Sequence, residues 1–300
     1  MTTKAQSRRG TMFTRCTVGA FALIWALLLP YPGVAVGIGE TPTLDHFIEQ
    51  SMKEGAIPGM ALAIVKAGKI EIAKGYGITG DGLPFTPDTP ILIASLSKAM
   101  TAAVALMFVD QNRIDLDVPI QLYLPEFRIR TKDGGASITL RHLLNQTSGL
   151  SDAGFPEMRL SQPNSPEERL SSLQSAVPQA VPGAEFHYFN SNYAIVARII
   201  EVVSGKTFEV VLEEELFKPL NMKSTTAVRT YALARKLNRP PIDGHVAAYG
   251  RAWRWHEPDG FLSGHGGVIS TAADMGRWLN WQMTGQPNIL TPELLTLMQT

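Results

Sequence analysis

Apolar and polar positions divide the chain into helical, extended and irregular stretches. Leu44, Phe47, Ile48 and Met52 recur at helical spacing, which predicts a helix stopped at Gly55. Met60 to Lys66 is apolar on both faces and predicts a central strand. Ala67-Gly68 then turns the chain into a second strand, Lys69 to Gly75, completing an antiparallel hairpin. The stretch Ile91 to Val109 contains a helix that is apolar nearly all round, the pattern of a buried element, with Asn112 at its left-handed stop. Ile114 to Phe127 is loop-like, with Pro119 and Pro125. Thr139 caps a short helix over Leu140 to Leu144. Residues 151–182, rich in Ser, Pro, Gln and Glu, predict surface loops with short helices. Asn192 to Val203 is a strongly apolar helix closed by Ser204-Gly205, and a further helix runs from Phe208 to Phe217. Residues 235–264 mix Pro, Gly and aromatics without a clear period. Two last helices are predicted over Asp274 to Met283 and from Thr291 to Met298.

The first forty residues follow a different logic. Lys4, Arg8, Arg9 and Arg15 precede an apolar run from Val18 to Leu29, followed by prolines and small residues. That is the layout of an export signal, so residues 1–39 are expected to be a leader and 40–300 the working domain. The alternative is an uncleaved N-terminal anchor, although the run is short for the roughly 30 Å of a bilayer core. Either way the protein is expected outside the cytoplasm, in the periplasm or beyond. The single cysteine, Cys16, falls within the leader, so the exported chain would hold no disulfide and no thiolate nucleophile. Lys and Arg number 27 and Asp and Glu 27. The balanced, dispersed charge gives no footing for a nucleic-acid partner.

Candidate chemistry centres on Ser95-Leu-Ser-Lys98. A spacing of three puts Ser95 and Lys98 on one helix face. A lysine at the mouth of a buried helix has its charged form disfavoured, and a lysine so perturbed can activate a hydroxyl without histidine. In Pro182-Gly-Ala-Glu-Phe-His-Tyr-Phe-Asn190, Tyr188 and Asn190 would point the same way if the loop is extended. A phenol and an amide could then relay a proton and orient the lysine. Alternatively, Tyr188 is an amphipathic residue at the core edge. Other near-matches fail. Gly75-Tyr-Gly-Ile-Thr-Gly80 has the glycine spacing of a dinucleotide loop, but prolines rather than a helix follow it. Gly205-Lys-Thr207 lacks the upstream glycine of a phosphate loop, and no Gly-x-Ser-x-Gly elbow is present. The six histidines show no metal-ligand spacing and are expected on the surface or as caps, so no cofactor or metal is implied.

Taken in order, Ser95-Leu-Ser-Lys98, Ile138-Thr-Leu-Arg-His-Leu-Leu-Asn-Gln-Thr-Ser-Gly-Leu150, Pro182-Gly-x-x-Phe-x-Tyr-x-Asn190, Phe217-Lys-Pro-Leu-Asn-Met222 and Gly266-Gly-Val-Ile-Ser-Thr-Ala-Ala-Asp-Met275 resemble the class C β-lactamase, DD-peptidase and esterase superfamily of serine hydrolases. The resemblance implies an α+β fold, with an antiparallel sheet flanked by helices and an inserted all-helical region. It implies Ser95 as nucleophile, Lys98 as its activating partner, Tyr188 as proton relay and Asn190 as a substrate-binding amide. The substrate would be a small molecule or peptide: a β-lactam, a D-amino-acid peptide or a carboxylic ester. His265-Gly-Gly267 matches the family's third motif as a triplet, but the residues after it resemble a segment upstream of that motif. The closing strands are therefore expected to be missing, giving a C-terminally incomplete domain. A catalytically inactive binding or scaffold protein of the cell envelope is the alternative reading. Phe189, where small residues are common, is expected to narrow the pocket.

Overall fold

Ala67 and Gly68 both take left-handed backbone, with φ of 47° and 77°, and join two strands through a two-residue turn of the kind that matches strand twist. The structure is a computed structural model that describes residues 43–131, 137–155, 165–248, 251–255 and 261–300. The expected leader, 1–39, lies outside the described residues. The chain divides into two units, Met1–Phe47 and Ile48–Thr300, and every described strand belongs to the second. Helix α1 (Leu44–Glu54) crosses that division. Strands β1 (Gly59–Lys66) and β2 (Lys69–Gly77) pair antiparallel from Gly59↔Gly77 to Lys66↔Lys69, with an irregularity at Ile64/Val65. Among the described residues β1 pairs only with β2 and its apolar positions are half-buried, so it is not seen as the central strand its two-faced pattern predicts. The glycine pattern at the end of β2 has a structural origin. Gly77 has φ 72°, and a Cβ there would lie 2.2 Å from the Pro58 carbonyl oxygen. No helix follows it.

A second antiparallel sheet, ordered β3–β7–β4, lies at the site. Strand β3 (Ile91–Leu92) and β4 (Thr226–Ala227) flank β7 (Val268–Ser270), whose three residues are buried. Between β3 and β4 every regular element among the described residues is helical, as the inserted region was expected to be. The main helices there are α2 (Ser97–Asp110), α3 (Leu140–Leu144), α4 (Pro166–Ser172), α5 (Asn190–Ser204) and α6 (Phe208–Leu212). A short helix α7 (Tyr231–Ala234), a hairpin of β5 (Gly244–Ala248) and β6 (Arg251–Trp255), and helices α8 (Ala272–Thr284) and α9 (Pro292–Gln299) complete the order. The hairpin falls in the stretch that showed no period.

The all-round apolar pattern of α2 has the predicted result. Met100, Ala103, Val104 and Phe108 are buried and pack with Ile195, Ile199 and Ile200 of α5 in the main core. Asn112 and Asn221 take φ of 56° and 57°, where their short side chains tolerate left-handed backbone. Two expectations need correction. The stretch 151–182 is more than surface, because Phe155, Leu170, Leu173 and Ala176 enter the main core. The helix expected over Phe208 to Phe217 changes at Glu213 into one π turn, Glu213–Phe217, which buries Leu216 and Phe217 together.

Candidate active site

Strand β3 leads straight into the candidate nucleophile. Ile93 donates its N–H to the Val268 carbonyl of β7 at 2.9 Å, and Ala94 then turns into left-handed backbone with φ 47°. A tight turn over Ala94–Leu96 opens α2. For a residue with a Cβ this backbone is strained, and such strain persists only where the surroundings impose it. Its effect is to present Ser95 exposed at the mouth of α2, while Lys98, one turn on, is 7% exposed.

The four residues singled out from sequence come together. Lys98 Nζ donates to Ser95 Oγ at 3.1 Å, to Asn190 Oδ1 at 2.9 Å and to the His265 carbonyl at 2.9 Å. Tyr188 Oη donates to Ser95 Oγ at 2.8 Å. The Lys98 ammonium lies 4.8 Å from the centre of the Tyr188 ring and 5.8 Å from that of Tyr193. A buried ammonium needs its hydrogens satisfied, and an amide oxygen, a carbonyl and a hydroxyl accept from it here.

Tyr188 and Asn190 reach the site because the segment before α5 is extended, with Phe189 at φ −145° and ψ 118°. Alternation sends Phe189 the other way, into the core, where it is fully buried and meets Phe155 edge-on at 6.3 Å. It does not narrow the pocket as expected. The segment is held by residues that the sequence reading missed. Gln146, with φ 63°, accepts the His187 N–H on its carbonyl at 2.9 Å and the Phe189 N–H on Oε1 at 3.1 Å. The same Oε1 accepts from Asn192 Nδ2 at 2.7 Å, and Asn192 Oδ1 accepts from Ser148 Oγ at 2.8 Å. Their signal in the sequence was a buried amide in an apolar helix, which requires partners.

His265 was expected on the surface or as a cap, and the structure corrects this. Its carbonyl accepts from Lys98, and the residue lines a cavity of about 370 Å³ that also touches Ser95, Ala94, Asn190, Tyr231 and Ile242. The residue is half-buried as a whole but its Nδ1 is fully shielded. Burial, then the nearby charges of Lys98 and Arg169, lower its pKa to about 3, so the imidazole is neutral at ordinary pH. His142 is the cap it was expected to be, closing a capping box with Thr139 on α3. Tyr193 differs from Tyr188. It is buried, donates to the Leu144 carbonyl at 2.8 Å, and its pKa is raised to about 12, by burial and then by Tyr188. A hollow of about 450 Å³ between Ile129–Thr131 and Pro178–Pro182 lies apart from this group. Among the described residues no cluster of His, Cys, Asp and Glu could hold a metal ion, and no helix is long and apolar enough to cross a membrane.

A serine–lysine–tyrosine group at the mouth of a buried helix, beside an antiparallel sheet, is an arrangement found among serine hydrolases that work without histidine. Residues 44–300 match the family model "Beta-lactamase", and the chain belongs to that family of serine hydrolases. It is 27% identical over 249 residues to "Protein flp" of Staphylococcus aureus (strain MW2), covering 80% of this chain and 48% of that protein. It is 28% identical over 246 residues to the D-alanyl-D-alanine-carboxypeptidase/endopeptidase AmpH of Escherichia coli (strain K12), covering 79% and 60%. Among solved structures, the octameric penicillin-binding protein homologue from Pyrococcus abyssi superimposes with a TM-score of 0.71 at 27% identity, over 85% of this chain and 59% of that one. The chain thus spans about half to three-fifths of the length of these relatives. The fold is that of the β-lactamases and DD-peptidases.

Proposed function

We propose that the protein is an exported serine hydrolase that works by acyl transfer through Ser95, Lys98 and Tyr188 on an amide or ester carbonyl. Ser95 Oγ lying between Lys98 Nζ at 3.1 Å and Tyr188 Oη at 2.8 Å is the observation that carries this reading. When Lys98 is neutral, two N–H bonds remain for Asn190 and the His265 carbonyl, and the lone pair faces Ser95 Oγ. Lys98 then takes the serine proton as Oγ forms its bond to the carbonyl carbon. The carbonyl oxygen becomes an oxyanion, with the Ser95 backbone N–H as one donor to it. On collapse the bond to the leaving group breaks. Tyr188 gives its proton to that group and is reprotonated from Lys98. Water, deprotonated by the same pair, then releases the acyl group and restores Ser95.

The substrate is a β-lactam, a D-amino-acid peptide or a carboxylic ester. The carboxypeptidase name of the Escherichia coli relative supports the peptide among these. Export rests on the basic, apolar and small-residue sequence of positions 1–39, which we read as a leader ahead of a domain over 40–300.

The test is an intact mass of the protein from its native source, before and after a fluorophosphonate or a labelled penicillin, with Ser95→Ala and Lys98→Ala variants treated alike. We expect loss of the leader, a single adduct in the wild type, none with Ser95→Ala, and a greatly slowed reaction with Lys98→Ala. An adduct that persists in Ser95→Ala, or none in the wild type, overturns the catalytic reading. The second outcome would leave a binding protein of this fold.

A further inference from the structure

Helix α2 carries two more hydroxyls, on residues interleaved with Ser95 and Lys98, for which acyl transfer has no direct use. Ser97 and Thr101 are four residues apart, share a helix face, and are almost completely buried. Thr101 Oγ1 lies 2.6 Å from the Gly264 carbonyl oxygen and 3.1 Å from the Ser97 carbonyl oxygen. A hydroxyl has one proton, and the shorter contact takes it. Ser97 Oγ in turn accepts the Val268 N–H at 3.1 Å. These two bonds bracket His265, whose carbonyl receives Lys98. The turn they hold is also pressed against α5. Gly264 has φ 80°, and a Cβ there would lie 2.2 Å from the Tyr193 carbonyl oxygen and 2.8 Å from Ala197 Cβ.

We propose that Ser97 and Thr101 are positioning residues for the base: they hold both ends of the 264–268 turn so that the His265 carbonyl stays on Lys98. The inference rests on the acyl-transfer reading above. The direction of the amine is what it adds. An amine tied to both Asn190 and His265 has its third tetrahedral position fixed, and that position faces Ser95. With His265 lost it turns about the remaining bond, and the lone pair leaves the serine proton. Neither hydroxyl touches Ser95 or the cavity beside it.

Thr101→Val keeps the side chain's shape and removes the hydroxyl, while Thr101→Ser keeps the hydroxyl. On a chromogenic ester we expect Thr101→Val to lower kcat/KM roughly ten- to a hundredfold, chiefly through kcat, and Thr101→Ser to stay within about threefold of wild type. A carbonyl acceptor favours the charged ammonium, so its loss should also move the acid limb of the pH–rate profile of Thr101→Val to lower pH. Should Thr101→Val not fold, Ser97→Ala, which frees the other end of the turn, takes the same measurements. A folded Thr101→Val with wild-type kcat and pH profile overturns the proposal, as does Thr101→Ser falling as far as Thr101→Val. If the wild type itself shows no turnover, the acyl-transfer reading fails, and crystal structures then decide the clamp. The Lys98 Nζ to His265 oxygen contact should stay at hydrogen-bond distance in the wild type and Thr101→Ser and open in Thr101→Val; an unopened contact in Thr101→Val overturns it.

Discussion

Two tyrosines flank Lys98, and their surroundings separate their roles. Tyr188 is half exposed and its hydroxyl meets Ser95, whereas Tyr193 is buried and spends its proton on the Leu144 carbonyl. With its pKa raised to about 12, Tyr193 remains a neutral wall to the ammonium. His265 is a similar case from the basic side. Its unfolded-state pKa is near 6.5 and its folded value about 3, so the folded protein refuses a proton that the unfolded chain accepts. Above pH 6.5 both states are neutral and the histidine's contribution to stability is complete. As the pH falls from 6.5 towards 3 that contribution is lost. Melting temperatures measured across this range should therefore drop less steeply for His265→Gln than for the wild type. Parallel curves would mean that the imidazole is not shielded as described.

The site is assembled from element ends: the mouth of α2, the N-terminus of α5 and the turn before β7. The first turns on the left-handed Ala94, the second is held by the Gln146 bonds to His187 and Phe189, and the third turns on the left-handed Gly264. Gly264 is the most exacting, since its left-handed backbone disfavours a Cβ and its approach to the Tyr193 carbonyl of α5 excludes one. Gly264→Ala should lower stability by more than about 1 kcal/mol and reduce Ser95 acylation with it, as read by chemical denaturation and adduct formation. The two losses should go together, because one movement of the turn causes both. Much at this scale was legible. The apolar surround of α2, the stop at Asn112, the cap at Thr139 and the Ala67-Gly68 turn each follow from a local rule. The position of Phe189 was legible too, in hindsight. The alternation that pairs Tyr188 with Asn190 requires the residue between them to face the opposite way. His265 was not legible, because it binds Lys98 through a carbonyl, a group every residue carries.

For the whole molecule, the mixed helix and antiparallel-sheet architecture could be inferred from ordered landmarks, while the pairing of its strands could not. Strands β3, β4 and β7 are two or three residues long, too short for any period to appear. The β5–β6 hairpin was hidden by glycine, proline and aromatics at irregular spacing. The buried share of 151–182 was missed because composition averages over a stretch in which, among the described residues, Phe155, Leu170, Leu173 and Ala176 enter the main core.

The division of labour within His265 has a consequence for how such a protein could change over generations. Its carbonyl accepts from Lys98, the proposed base, and the residue lines the cavity that Ser95 also lines. Since almost any amino acid supplies the same carbonyl, variation at this position would, on the proposed acyl-transfer reading, alter the cavity beside Ser95 while leaving the Lys98 contact in place. Position 265 is thus a place where preference can drift without an intervening loss of chemistry. A library at this codon, proline excluded, should retain Ser95 labelling in most members while reordering their rates across a panel of esters and amides. Loss of labelling in most members would show that the ring and the carbonyl are not separable.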